Sequence, residues 1–161
     1  MRRLLVLMFC AACTGNTAPV PDGVTHVTGL ANNHVTSCTD QAACGGNEPP
    51  VGGPHCGSWL PCRVHTTAQS RCQYVHNLEH GHMVLAYNCP SGCDDVQAAL
   101  AGYQQSHTRV LLTPDPRLSS KVAAMVWGYS WAGDTVDVAK LDAVRSMQDV
   151  DAPEAGLGCA P

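Results

Sequence analysis

Val75-His76-Asn77-Leu78-Glu79-His80-Gly81-His82 runs directly into Met83-Val84-Leu85-Ala86-Tyr87, and the reading of this stretch decides the fold. The second half is apolar on both alternating faces: Met83, Leu85 and Tyr87 on one, Val84 and Ala86 on the other. A strand that faces water on one side alternates with polar residues, so an unbroken run predicts a central strand covered on both sides. The first half holds three histidines and a carboxylate, more metal-binding and proton-exchanging chemistry than any other stretch of the chain.

Downstream, Cys89-Pro90-Ser91-Gly92-Cys93 reads as a turn that a disulfide can pin. Asp94 reads as the N-cap of a helix to about Tyr103, with Val96, Ala99, Leu100 and Tyr103 on one face. Strands are expected over Arg109–Thr113, closed by Pro114-Asp115-Pro116, and over Val122–Tyr129. Asp134 reads as the cap of a last helix to about Gln148, striped by Val138, Leu141, Val144 and Met147. The order is β-α-β-β-α. It predicts an α+β, two-layer domain with a small mixed sheet, helices on one face, and a parallel first pair joined by a right-handed crossover. The second and third strands are free to pair antiparallel.

Upstream the chain is irregular. Residues 14–50 are rich in Thr, Asn, Gly and Pro without a sustained period. They read as a flexible tether over 13–25 followed by a long, disulfide-braced N-terminal arm. Residues 156–161 read as an irregular tail, leaving 26–155 as a single domain. A chain of 161 residues supports one such core.

Ten cysteines are too many for a reducing compartment unless metal sites use them, and none falls in a zinc-ribbon spacing. Met1-Arg2-Arg3, the apolar Leu4–Cys10 and then Ala11-Ala12-Cys13 predict a lipoprotein-type signal peptide over 1–12. Cys13 is then the lipidated mature N-terminus. The expected location is extracytoplasmic, anchored to a membrane and facing the periplasm or cell surface. Cys38, Cys44, Cys56, Cys62, Cys72, Cys89, Cys93 and Cys159 remain as disulfide candidates, an even number whose pairing is left open. A net charge of -4 gives no reason to expect a nucleic-acid partner.

Several segments together resemble a known bacterial family. They are Pro49-Pro50-Val51-Gly52-Gly53-Pro54-His55, Trp59, the His76-Asn77-Leu78-Glu79-His80-Gly81 block, Tyr87-Asn88 and Trp127-Gly128, in that order. The chain resembles the DUF3105 family over residues 26–155. The resemblance implies an exported or membrane-anchored protein and no activity. Gly52 stands where the family pattern has Ser, and His82 where it has a second Gly.

Three readings of the His/Glu cluster follow. Neutral imidazole is the commonest metal ligand, so His55, His76, His80 and Glu79 form a candidate site for one zinc or copper ion. His82 and Met83 are supplementary candidates, Met83 favouring Cu(I). In the second reading the cluster is a buried hydrogen-bond hub in a non-catalytic structural or interaction module. In the third, His76-Asn77-Leu78-Glu79-His80 fits H-x-x-E-H, with Glu79 as the candidate catalytic carboxylate of a small zinc hydrolase. That requires a helix here, for which Ser70 is the candidate cap and Gly81 the stop. His26, His34, His65 and His107 read as exposed loop residues, and Trp59 and Trp127 as core fillers.

Overall fold

The computed structural model describes residues 19–39 and 44–161; the expected leader and Cys13 lie outside them. The elements in chain order are β1 (Thr25–His26), β2 (His34–Val35), β3 (His55–Cys56), α1 (Arg71–Glu79), β4 (Met83–Tyr87), α2 (Asp94–Ser106), β5 (Val110–Pro114), β6 (Val122–Val126), β7 (Tyr129–Gly133) and α3 (Val138–Arg145). The fold is α+β.

The run at residues 83–87 is central. The five-stranded mixed sheet has the order β1-β7-β6-β4-β5, with β4 parallel to β5 and antiparallel to β6. The βαβ crossover through α2 thus gives the parallel pair its order predicts. Strands β5 and β6, expected as possible partners, lie on opposite sides of β4. Met83 and Leu85 pack with Val96 and Leu100 of α2 and Leu141 and Val144 of α3. Val84 and Ala86 face the other way, onto Tyr74, Val75 and Leu78 of α1 and Val51 and Leu60 of the arm. Each face is therefore covered, one by α2 and α3, the other by α1 and the arm, so helices lie on both faces rather than on the one face that the two-layer reading expected.

Four boundaries differ from the sequence reading. The run expected as one strand over 122–129 is the hairpin β6–β7, where Val126 pairs with Tyr129 around Trp127-Gly128. Gly128 takes φ 79°, a left-handed turn that a side chain disfavours. Helix α2 starts at Asp94, with Cys93 at the cap position, and runs on to Ser106; Ala99 is exposed. Asp137, not Asp134, caps α3, its carboxylate accepting from the Lys140 N–H at 3.2 Å. Val138 is exposed, while Leu141, Val144 and Met147 form the buried stripe. Residues 24 and 25, at the end of the expected tether, already lie against the domain, with Thr25 paired to Ser130.

Helix α1 is an element the β-α-β-β-α order omitted. Ser70 caps it as read, its hydroxyl accepting from the Cys72 N–H at 3.1 Å. Eight of its nine residues are buried, polar ones included. It lies between sheet and arm, so it has no solvent face and shows little amphipathic period. At its first residue, Arg71 donates to Asp115 at 2.8 Å and to Glu48 at 2.8 Å, tying β5, α1 and the Pro49–Pro54 loop together. Asn77 clamps the arm as a peptide group would. Its carbonyl oxygen accepts from the Leu60 N–H at 2.9 Å, and its amide donates to the Leu60 carbonyl at 2.8 Å.

All eight candidate cysteines pair: Cys38–Cys56, Cys44–Cys72, Cys62–Cys159 and Cys89–Cys93. The first two hold the arm on itself and on α1. The third returns the tail, whose Ala160 also bridges to Pro61. Four disulfides suggest an oxidising, extracytoplasmic environment. Among the described residues no helix is long and apolar enough to cross a membrane.

Candidate metal centre

Two local structures aim the histidines. The two-residue parallel pair β2–β3 sets His34 beside His55, and the Cys38–Cys56 disulfide closes the strand ends over that register. Against this pair lies α1, where His76, Glu79 and His80 share one face through their i, i+3 and i+4 spacing. The rings of His34, His55 and His76 form a nearly equilateral triangle, with centroid separations of 4.9, 5.0 and 5.0 Å.

The Glu79 carboxylate sits at this triangle. Its Oε2 is 2.8 Å from His55 Nε2, 3.5 Å from His34 Nε2 and 3.6 Å from His76 Nε2. All four ligand atoms lie within 4.8 Å of one another. Zinc bound by N and O at about 2.0–2.2 Å in a tetrahedron separates its ligand atoms by about 3.3–3.6 Å. Two of the three contacts to Glu79 match that edge; the His55 contact is at hydrogen-bond length.

The backbone decides which nitrogen faces inward. His55 Nδ1 lies 2.7 Å from the Gly53 carbonyl, and His76 Nδ1 lies 2.6 Å from the Cys56 carbonyl. A carbonyl only accepts, so each Nδ1 carries the proton. In the neutral ring each Nε2 then presents a lone pair to the Glu79 carboxylate. Gly53 reaches back to His55 at φ 113°, a conformation a side chain would strain. Backbone carbonyls that fix the outer nitrogen are the usual support of a metal-ligating histidine. Burial lowers the His76 and His80 pKa values, further than the carbonyl of Cys56 and the carboxylate of Glu154 raise them. Both are therefore neutral imidazoles, the ligating form, at neutral pH.

The expected residues separate into groups. His55, His76 and Glu79 come together. His80 is adjacent, with Nε2 3.0 Å from His76 Nε2, and it faces Glu154 at 3.3 Å on its other side. His82 is held elsewhere: Nε2 donates to the Leu157 carbonyl at 2.9 Å and Nδ1 accepts from Asn77 at 3.1 Å. Burial pushes His82 down to about 4. It neighbours Cys62 and Cys159, but those sulfurs are joined to each other and offer no thiolate. Met83 is a correction. It packs against α2 and α3 on the far face of the sheet, because successive strand residues point opposite ways, so its thioether does not serve the centre.

Two residues of the centre were not among the expected ligands. His34, read as an exposed loop residue, is half exposed yet completes the triangle. The only signal was Cys38 behind it, informative once Cys38 is known to pair with Cys56. Glu154 lies in the tail and carries no local motif. Of the other loop histidines, His65 is buried, donating to the Pro61 carbonyl at 3.0 Å. Trp127 is a core residue as read, whereas Trp59 stands over the cluster, 4.4 Å from the His80 ring and 5.2 Å from His76.

The family described as "Protein of unknown function (DUF3105)" matches residues 34–161, the whole of the site included. The chain belongs to DUF3105. No curated protein and no solved structure matches it. Membership supplies no activity, so the chemistry rests on the side chains. The DUF3105 block His76-Asn77-Leu78-Glu79-His80-Gly81 has a residue-by-residue meaning in this geometry: His76, Glu79 and His80 face the centre, Asn77 grips the arm, and Leu78 packs on the sheet.

Proposed function

We propose that this DUF3105 protein is an exported lipoprotein whose His34, His55, His76 and Glu79 bind a divalent transition metal, zinc or copper. The convergence of the two backbone-oriented Nε2 lone pairs on the Glu79 carboxylate carries this reading. Acceptors facing acceptors in a buried site need a positive charge between them, and a cation supplies it. Three imidazoles and one carboxylate, with neither thiolate nor thioether, suit zinc or Cu(II) better than Cu(I).

After equilibrium dialysis against Zn²⁺ at pH 7, the protein is expected to retain at least about one equivalent by elemental analysis. Cu²⁺ is expected to quench the fluorescence of Trp59, whose ring touches His76 and His80. A chain that retains no ion above background sinks the reading.

The hub reading has support of its own: the bonds of His55 and His76 to the Gly53 and Cys56 carbonyls, and the 2.8 Å contact between His55 and Glu79, which a protonated pair also makes. It predicts no bound metal. The hydrolase reading gains the α1 helix it required, but a Glu79 among the ligands is not free to act as a base beyond them. The lipid anchor has its own test. Cys13→Ser is expected to release the protein from the membrane fraction, and unchanged retention counts against Cys13 lipidation.

A further inference from the structure

The cluster extends past the four inner ligands. His76, Glu79, His80 and Glu154 form a second set whose ligand atoms also lie within 4.8 Å of one another. Six ligand atoms therefore fall into two sets that share His76 and Glu79. One ion of about 2.1 Å bond length does not take six such ligands in a tetrahedral site.

The outer set has the marks of a built position. His80 is 1% exposed, and its Nε2 is the ring nitrogen that faces the cluster. Its Nε2 faces two acceptors, the His76 lone pair at 3.0 Å and Glu154 Oε2 at 3.3 Å. A single proton on Nε2 serves only one of them. Glu154 is exposed, but its backbone holds it in place: its N–H donates to the Glu79 carbonyl at 3.0 Å. The Cys62–Cys159 disulfide ties down the tail beyond it.

We propose that the centre takes two ions, with a second divalent transition-metal cation held by His80, Glu154 and a shared Glu79 carboxylate. This rests on the metal reading of the inner four. A carboxylate has two oxygens, and one that bridges sets its ions about 3.5–4 Å apart. The inner ion is enclosed by imidazoles. The outer ion has one imidazole and an exposed carboxylate, so water fills its remaining positions. It is the exchangeable one, and the one that meets any ligand from solution.

The experiment is equilibrium dialysis of the full chain against Zn²⁺ alone at pH 7, followed by elemental analysis. The wild type is expected to hold about two equivalents, and His80→Ala and Glu154→Gln about one each. Glu154 lies at the surface, so its variant keeps the fold. A wild type with a single equivalent that His80→Ala leaves unchanged overturns the outer position while the inner centre stands. Two equivalents that neither variant lowers overturns the assignment of ligands. A wild type with none overturns both readings. Loading with Cu²⁺ gives an independent readout. Ions sharing a carboxylate couple magnetically, so the integrated EPR signal is expected to fall below the copper content; a full signal at two equivalents overturns the shared carboxylate.

Discussion

Alanine at both His55 and His76 is expected to remove the inner zinc and, with it, most of the stabilisation that zinc confers. Changes in the groups that merely support a ligand cost roughly 10- to 100-fold in affinity, and these are two of the proposed inner ligands themselves. Zinc at a hundred times its dissociation constant stabilises a folded protein by about 2.7 kcal/mol. For a chain of this size that raises the melting temperature by on the order of 5–10 °C. The wild type is expected to show that rise on adding Zn²⁺, and the double variant to lose most of it. The variant also leaves Glu79 as a buried carboxylate short of its closest partner, so its metal-free form is expected to be less stable than the wild type. The two effects separate the readings. If the cluster is only a hydrogen-bond hub, the variant loses stability while the wild type ignores zinc.

The second large effect lies away from the metal. Asp115 is buried and accepts from Arg71 at 2.8 Å and from the Tyr74 hydroxyl at 2.6 Å. Without Asp115 the buried Arg71 keeps Glu48 but loses its more buried carboxylate, and the Tyr74 hydroxyl loses its acceptor. Asp115→Ala is therefore expected to cost up to about 3–5 kcal/mol, a large share of the roughly 5–15 kcal/mol that holds a domain together. Denaturant unfolding measures it. The same pair fixes the first turn of α1, so metal affinity is expected to fall as well. Burial pushes the Asp115 carboxyl up, but the bonds from Arg71 and Tyr74 outweigh it and hold the pKa below its ordinary 3.8. The sign follows from linkage. A carboxylate whose pKa is depressed on folding adds stability above its unfolded value, and that stability is lost as pH falls through the folded value. The gap between the wild type and Asp115→Asn is expected to be full at neutral pH and to narrow on acidification below about pH 4. A gap that stays constant down to pH 2 contradicts this account.

Much of the scaffold was legible because it depends on short-range pattern. The apolar run at 83–87 reads as a doubly covered strand, and the crossover rule orients its partner. The misreadings have physical causes. The β6–β7 turn at Trp127-Gly128 lacks an Asn-Gly or Asp-Gly signal, so its hairpin reads as one strand. Asp94 and Asp134 are plausible caps, but Cys93 is tied by its disulfide and the chain turns later, at Asp137. Helix α1 was underrated because amphipathic period reports a helix with one dry face, and α1 is dry all round.

The site divides the same way. Residues spaced along one helix, His76, Glu79 and His80, are neighbours as soon as the helix exists, so their convergence is written in the sequence. His55 on its Pro/Gly loop was identifiable as a ligand type, but not the direction of its ring. That direction comes from the Gly53 carbonyl, and its distance to Glu79 from the packing of β3 on α1. His34 and Glu154 enter through contacts between segments far apart in the chain, set by a two-residue strand pair, two disulfides and one backbone hydrogen bond. By itself the sequence determined the candidate ligand types, the α+β scaffold and the cysteine-rich character of the chain. Tertiary structure alone decided which histidines meet, which nitrogen each presents, and that Met83 faces the other way. Spacing constrains neighbours on one element, whereas those outcomes depend on how separate elements pack.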